Sequence, residues 1–118
     1  MTLRLVVSRC DDPHSGSATP DEGLTPAECR MLAAGVQRLP GGWFTRERRD
    51  RGRTIVFLLP RDQHDETVPL FLVWRTRGLL HLYKGQSAVA TDLGRLADVA
   101  TVIACVDAEV RRHFALDP

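Results

Sequence analysis

The chain has 118 residues, 43% hydrophobic and 26% charged, proportions that suit one folded soluble domain and exclude global disorder. Sixteen basic residues against fifteen acidic ones leave a net charge of +1, so no whole-molecule field draws the protein to nucleic acid or to an anionic membrane. Any such binding needs a local patch.

Leu3, Leu5 and Val7 alternate with Arg4 and Val6, which suggests a short strand at an edge of a sheet. Residues 8–23 are rich in Ser, Asp, Pro and Gly without apolar periodicity, and read as a flexible polar segment. Residues 24–118 are then a single α+β domain. Thr25-Pro26-Ala27-Glu28 is a capping box with Pro at the first helical position, and Cys29, Leu32, Val36 and Leu39 follow at spacings of three and four. A helix is expected over 25–39, stopped by Pro40-Gly41-Gly42.

From Trp43 the period changes. Trp43 to Arg49, Arg53 to Leu59, Val68 to Arg75 and Leu79 to Tyr83 are β-rich runs, and two near-repeated turns, Arg49-Asp50-Arg51-Gly52 and Arg75-Thr76-Arg77-Gly78, join them in pairs. The Gly of each turn supplies the positive φ that a tight hairpin needs. Lys84-Gly85-Gln86-Ser87 reads as a connector with neither a phosphate-loop pattern nor a nucleophile elbow. Leu96, Val99, Ile103, Val106, Val110 and Phe114 then mark one face of a long second helix, about Leu93 to Phe114. The expected fold is α+β: a four-stranded antiparallel meander, with a possible extra N-terminal edge strand, flanked by an N-terminal helix and a long C-terminal one.

Ile55 to Leu59 and Leu70 to Trp74 are apolar without alternation, so both faces of the sheet should be out of water. The second face needs the N-terminal segment, one of the helices or a second copy of the chain, and a homodimer is expected on this ground. Cys10, Cys29 and Cys105 are too few and too scattered for a disulfide framework, and no Cys/His spacing suggests zinc. No metal or cofactor is expected. The longest apolar stretch, Val99 to Val106, is far below the ~20 residues of a membrane helix, and Met1 to Val7 lacks the pattern of a secretory leader, so the expected setting is the cytoplasm.

A meander sorts its charges by end. The two Gly-closed turns bring Arg48, Arg49, Arg51, Arg53, Arg75 and Arg77 to one end of the sheet, while Pro60 to Thr67 makes the other end acidic. Guanidinium groups on adjacent turns can grip carboxylate or phosphate in bidentate fashion. The leading expectation is therefore a non-catalytic protein that binds a partner protein, an acidic ligand or a small anion at this end. One alternative is an enzyme or ligand-sensing domain with a pocket between the sheet and the second helix, using His81 and Tyr83. A second is nucleic-acid or nucleotide binding by the arginines, against which the neutral net charge and the absence of a nucleic-acid-binding motif both weigh. Phe57 and Phe71, within apolar strands, read as core rather than as stacking platforms.

Overall fold

Thr25 opens the first helix as its capping box requires. Its hydroxyl accepts from the Glu28 amide at 3.1 Å while Glu28 Oε1 accepts from the Thr25 amide at 2.9 Å. The computed structural model, which describes residues 23–62, 64–65 and 67–114, runs this helix, α1, over Pro26–Val36 and buries Cys29, Leu32 and Val36. The predicted N-terminal strand and most of the polar segment after it lie outside the described residues.

The four expected strands follow: β1 Trp43–Asp50, β2 Arg53–Pro60, β3 Leu70–Thr76 and β4 Leu79–Gln86, each antiparallel to the next. Arg51-Gly52 and Arg77-Gly78 are two-residue hairpin loops with φ of 56° and 80°, and of 54° and 83°. Positive φ at both positions is the type I′ geometry whose twist matches that of the flanking strands. The two ladders are continuous, with Trp43 opposite Pro60 through Asp50 opposite Arg53, and Leu70 opposite Gly85 through Thr76 opposite Leu79.

Beyond the expected meander lies a fifth strand, β5 Val89–Leu96, paired with β4, so the sheet order is β1-β2-β3-β4-β5. The connector expected at Lys84 to Ser87 is instead the end of β4 and the first residue of a third hairpin turn. The second helix, α2 Val99–His113, starts six residues after the expected Leu93. Its N-cap is Asp98, whose side chain accepts from the Thr101 amide at 2.9 Å and from its hydroxyl at 2.7 Å. Leu93 misleads because of a bulge. Tyr83 faces Asp92 but Leu82 faces Gly94, so Leu93 is the extra residue and packs on the core together with Leu96. Two apolar residues three apart on one side imitate a helix.

Cross-strand partners share a face, which sorts the sheet cleanly. One face carries Trp43, Val56, Leu58, Phe71, Val73, Leu80 and Leu82, and these form one core with Leu32 and Val36 of α1 and Val99, Val102, Val106 and Val110 of α2. The helices lie side by side on that face. A Cβ added to Gly35 of α1 would stand 2.6 Å from Cγ1 of Ile103 in α2, so the missing side chain is what lets them approach. Lys84, on the same face, bonds Glu109 of α2 at 2.9 Å. No helix among the described residues is long and apolar enough to cross a membrane.

Candidate functional site

Both helices cover one face, so among the described residues nothing covers the other. The bare face holds the alternate positions: Phe44, Arg46 and Arg48 from β1; Arg53, Ile55, Phe57 and Leu59 from β2; Leu70, Leu72 and Trp74 from β3; Leu79, His81 and Tyr83 from β4; Asp92 and Arg95 from β5. Its centre is apolar and aromatic and its margins are charged. Leu70 and Leu79 are 36% and 41% exposed, high for leucines in a five-stranded sheet. Monomeric surfaces seldom carry a contiguous apolar area of this kind without a use for it.

Within this face three rings from two strands pack on one another. Trp74 and Tyr83 stack at 4.9 Å between centroids and 24° between planes, and His81 lies 4.9 Å from Trp74 and 5.0 Å from Tyr83. The Trp74 indole donates to the Thr76 hydroxyl at 2.9 Å, and His81 Nε2 is 3.1 Å from Asp92 Oδ1, which also accepts from the Gly94 amide at 2.7 Å. Partial burial raises the Asp92 carboxyl, but the bonds from Gly94 and His81 outweigh it and hold the group below its ordinary value. Burial, with the Asp92 charge adding to it, raises the Tyr83 phenol. His81 and Tyr83 alternate with the buried Leu80 and Leu82, so they face away from α2. The pocket expected between sheet and helix is thus not where these two side chains stand.

Across the face, beside β1, Arg46 and Arg48 flank a shallow hollow of about 420 Å³ floored by Phe57, Leu59 and Leu70. A second, about 530 Å³, continues from Leu59 and Leu70 to Pro60, Val68 and the turn at Ser87-Ala88. Both are open and apolar-floored. They are shallow surface relief rather than enclosed clefts.

The six arginines expected at one end do belong to the two turns of that end, but their side chains divide three ways. Arg51 and Arg77 are exposed at the turn tips. Arg49 and Arg75 lie on the helix side: Arg49 donates to the Gly52 carbonyl at 3.3 Å, and Arg75 donates to the Gly78 carbonyl at 3.0 Å and pairs with Glu28. Burial raises the Glu28 carboxyl, but the bonds from Arg75 and the Thr25 amide outweigh it and hold the group below its ordinary value. Only Arg48 and Arg53 share the bare face, and Arg53 is 3.8 Å from Asp50. Arg46 joins them. Its signal was available in the sequence, because it stands two residues from Arg48 on a strand and must share its face.

Phe71 is core as expected, fully buried and 5.9 Å from Trp43. Phe57 is not, since it lies on the bare face between Arg46 and Leu72. Among the described residues no cluster of three or more His, Cys, Asp and Glu side chains is placed to hold a metal ion. No family model matches the sequence, and no curated protein or solved structure is similar to it at a significant level.

Proposed function

We propose that the chain is a non-catalytic binding protein whose bare sheet face docks a partner protein presenting apolar side chains fringed by carboxylates. One observation carries this reading: both helices share a face, which leaves a half-buried apolar and aromatic centre that no described element covers, beside Arg46 and Arg48. The face holds four arginines, Arg46, Arg48, Arg53 and Arg95, against two aspartates, Asp50 and Asp92. Two such faces repel one another, whereas an acidic surface is drawn to either. Charge complementarity of this sort steers encounter and rejects wrong partners, while affinity comes from burying Phe57, Leu72 and Trp74. The setting we propose is the cytoplasm, in keeping with Cys29 and Cys105 as free thiols.

Single-stranded nucleic acid is the second reading, favoured by aromatic residues and arginines on one open sheet face. Against it, Trp74, Tyr83 and His81 stack on one another, so less ring surface is free for bases.

A photo-crosslinking residue at Leu72, used in the native host, separates the two. An acidic protein captured by wild type, lost with Arg46→Glu, kept with Arg38→Glu on the far side and rebound when purified supports the reading. Crosslinks chiefly to RNA or DNA, with affinity falling steeply in salt, favour the alternative. Crosslinks to neither overturn both.

A further inference from the structure

The sheet has two edges and they are not alike. The β5 edge is interrupted by the bulge at Leu93 and by Gly94 at φ 109°, devices that spoil an edge for pairing. The β1 edge has neither. All eight residues of β1 pair with β2 without a register shift, β2 is its only strand neighbour among the described residues, and Arg46 to Arg49 are exposed on both faces in succession. A regular strand whose outer amides and carbonyls pair with no strand among the described residues is a template for another strand.

Charge decides which strand. Two copies of β1 paired antiparallel about a two-fold axis normal to the sheet set residue i opposite residue j with i + j fixed and even, because cross-strand partners share a face. An axis at Glu47 puts Arg46 opposite Arg48 twice and Glu47 opposite itself, a wholly repulsive set. With the axis at Arg48, Arg46 meets Asp50 twice on the bare face and Glu47 meets Arg49 twice on the helix face, against one like pair, Arg48 with itself. An axis at Arg49 also matches charges, but uses Arg51, which the turn takes out of the strand at φ 56°. We infer that the protein is a homodimer in which the β1 edges of two copies pair antiparallel about Arg48, making one continuous ten-stranded sheet. Directly opposite side chains in such a ladder stand about 4.5–5.5 Å apart at Cβ, close enough for each of the four opposite-charge pairs to act. This assembly shares Arg46 and Arg48 with the proposed docking face but leaves its apolar centre at Leu72 and Trp74 free, and it doubles that face by joining two copies edge to edge.

Sedimentation equilibrium on the full chain tests it through a charge swap. Arg46 and Asp50 of one copy are about 13 Å apart along the strand, too far to pair with each other. Wild type is expected to be a dimer at concentrations on the order of 100 μM, and Arg46→Asp or Asp50→Arg alone to weaken it on the order of tenfold or more. The double variant R46D/D50R, and an equimolar mixture of the two single variants, should recover the dimer. Arg48→Thr should tighten it by removing the like pair at the axis. Leu72→Asp, on the bare face, should leave it unchanged while abolishing partner capture, so that failure of one reading does not imply failure of the other. A wild type that stays monomeric, single variants as dimeric as wild type, or a double variant no better than either single one overturns the inference. Circular dichroism of each variant confirms that the fold is intact.

Discussion

The third hairpin turn is built against the preferences that the other two obey, and the difference can be measured. Ser87 and Ala88 have φ of 50° and 67°, matching Arg51-Gly52 and Arg77-Gly78, yet Ala88 stands where those turns have Gly. A non-glycine residue in the left-handed region costs roughly 1–2 kcal/mol from the clash of Cβ with the following carbonyl. Gly in its place adds unfolded-state entropy that returns about 0.4–1 kcal/mol. Ala88→Gly should therefore stabilise by about 0.5–1 kcal/mol, and Gly52→Ala or Gly78→Ala should destabilise by the same amount. A Cβ at Gly52 or Gly78 meets nothing within 4 Å, so neither substitution adds a steric clash and the comparison isolates backbone strain. For a domain of this size each change moves Tm by about 2–5 °C. Urea and thermal denaturation of the three variants, followed by circular dichroism, give the signs. A destabilised Ala88→Gly beside destabilised Gly→Ala variants would refute the argument, because then the third turn does not adopt the geometry of the first two.

Gly35→Ala should lower stability by about 1–3 kcal/mol although Ala is the better helix former, since its Cβ would press on Ile103 at 2.6 and 2.7 Å. The double variant with Ile103→Ala should recover part of that loss, which a double-mutant cycle of urea midpoints checks. Burial raises the Glu109 carboxyl, but the bonds from Lys84 and Arg112 outweigh it and leave it below its ordinary 4.5. A group lowered by folding contributes stability that is present above its unfolded value and is lost as pH falls through its folded value. Glu109→Gln should therefore flatten the fall of stability below pH 4.5, and Lys84→Met should cost about 1–2 kcal/mol at neutral pH, both read from denaturation curves taken across acid pH. Burial, with Glu47 and Glu28 nearby, pushes the Cys29 thiol up to about 11, so its labelling by Ellman's reagent at pH 8 should be at least about tenfold slower than in urea-unfolded protein.

Much of the fold was legible because its local signals have single causes. The capping box at Thr25 and Glu28 is made as its spacing implies, and the two Gly-closed turns join the strands they were expected to join. The fifth strand was hidden by two violations of the rules that revealed the rest. Its entry turn lacks the Gly that marks a hairpin, and its bulge sets Leu93 and Leu96 on the same side, so that period two becomes spacing three. Local strain and a local insertion together cancelled the sequence signature of a strand that pairing to β4 nonetheless enforces.

The candidate site was legible in part, and the part missed shows where the argument must be made. Unbroken apolar runs in β2 and β3 imply two faces to be covered, but they do not say that both helices choose the same one. Side by side on that face, α1 and α2 approach closely at Gly35, whose missing Cβ leaves room for Ile103. Once they do, alternation alone assigns Phe57, Leu72, Trp74 and Tyr83 to the bare face and draws Arg46 and Arg48 beside them. Position along the chain places the six turn arginines at one end of the sheet, whereas the proposed docking depends on which face a side chain occupies. At the turn end, the carbonyls of Gly52 and Gly78 and the Glu28 carboxylate already hold Arg49 and Arg75. Along β1, Arg46 and Arg48 stand at alternate positions beside the half-buried Phe57, and there both guanidinium groups lie on the exposed edge of the bare face.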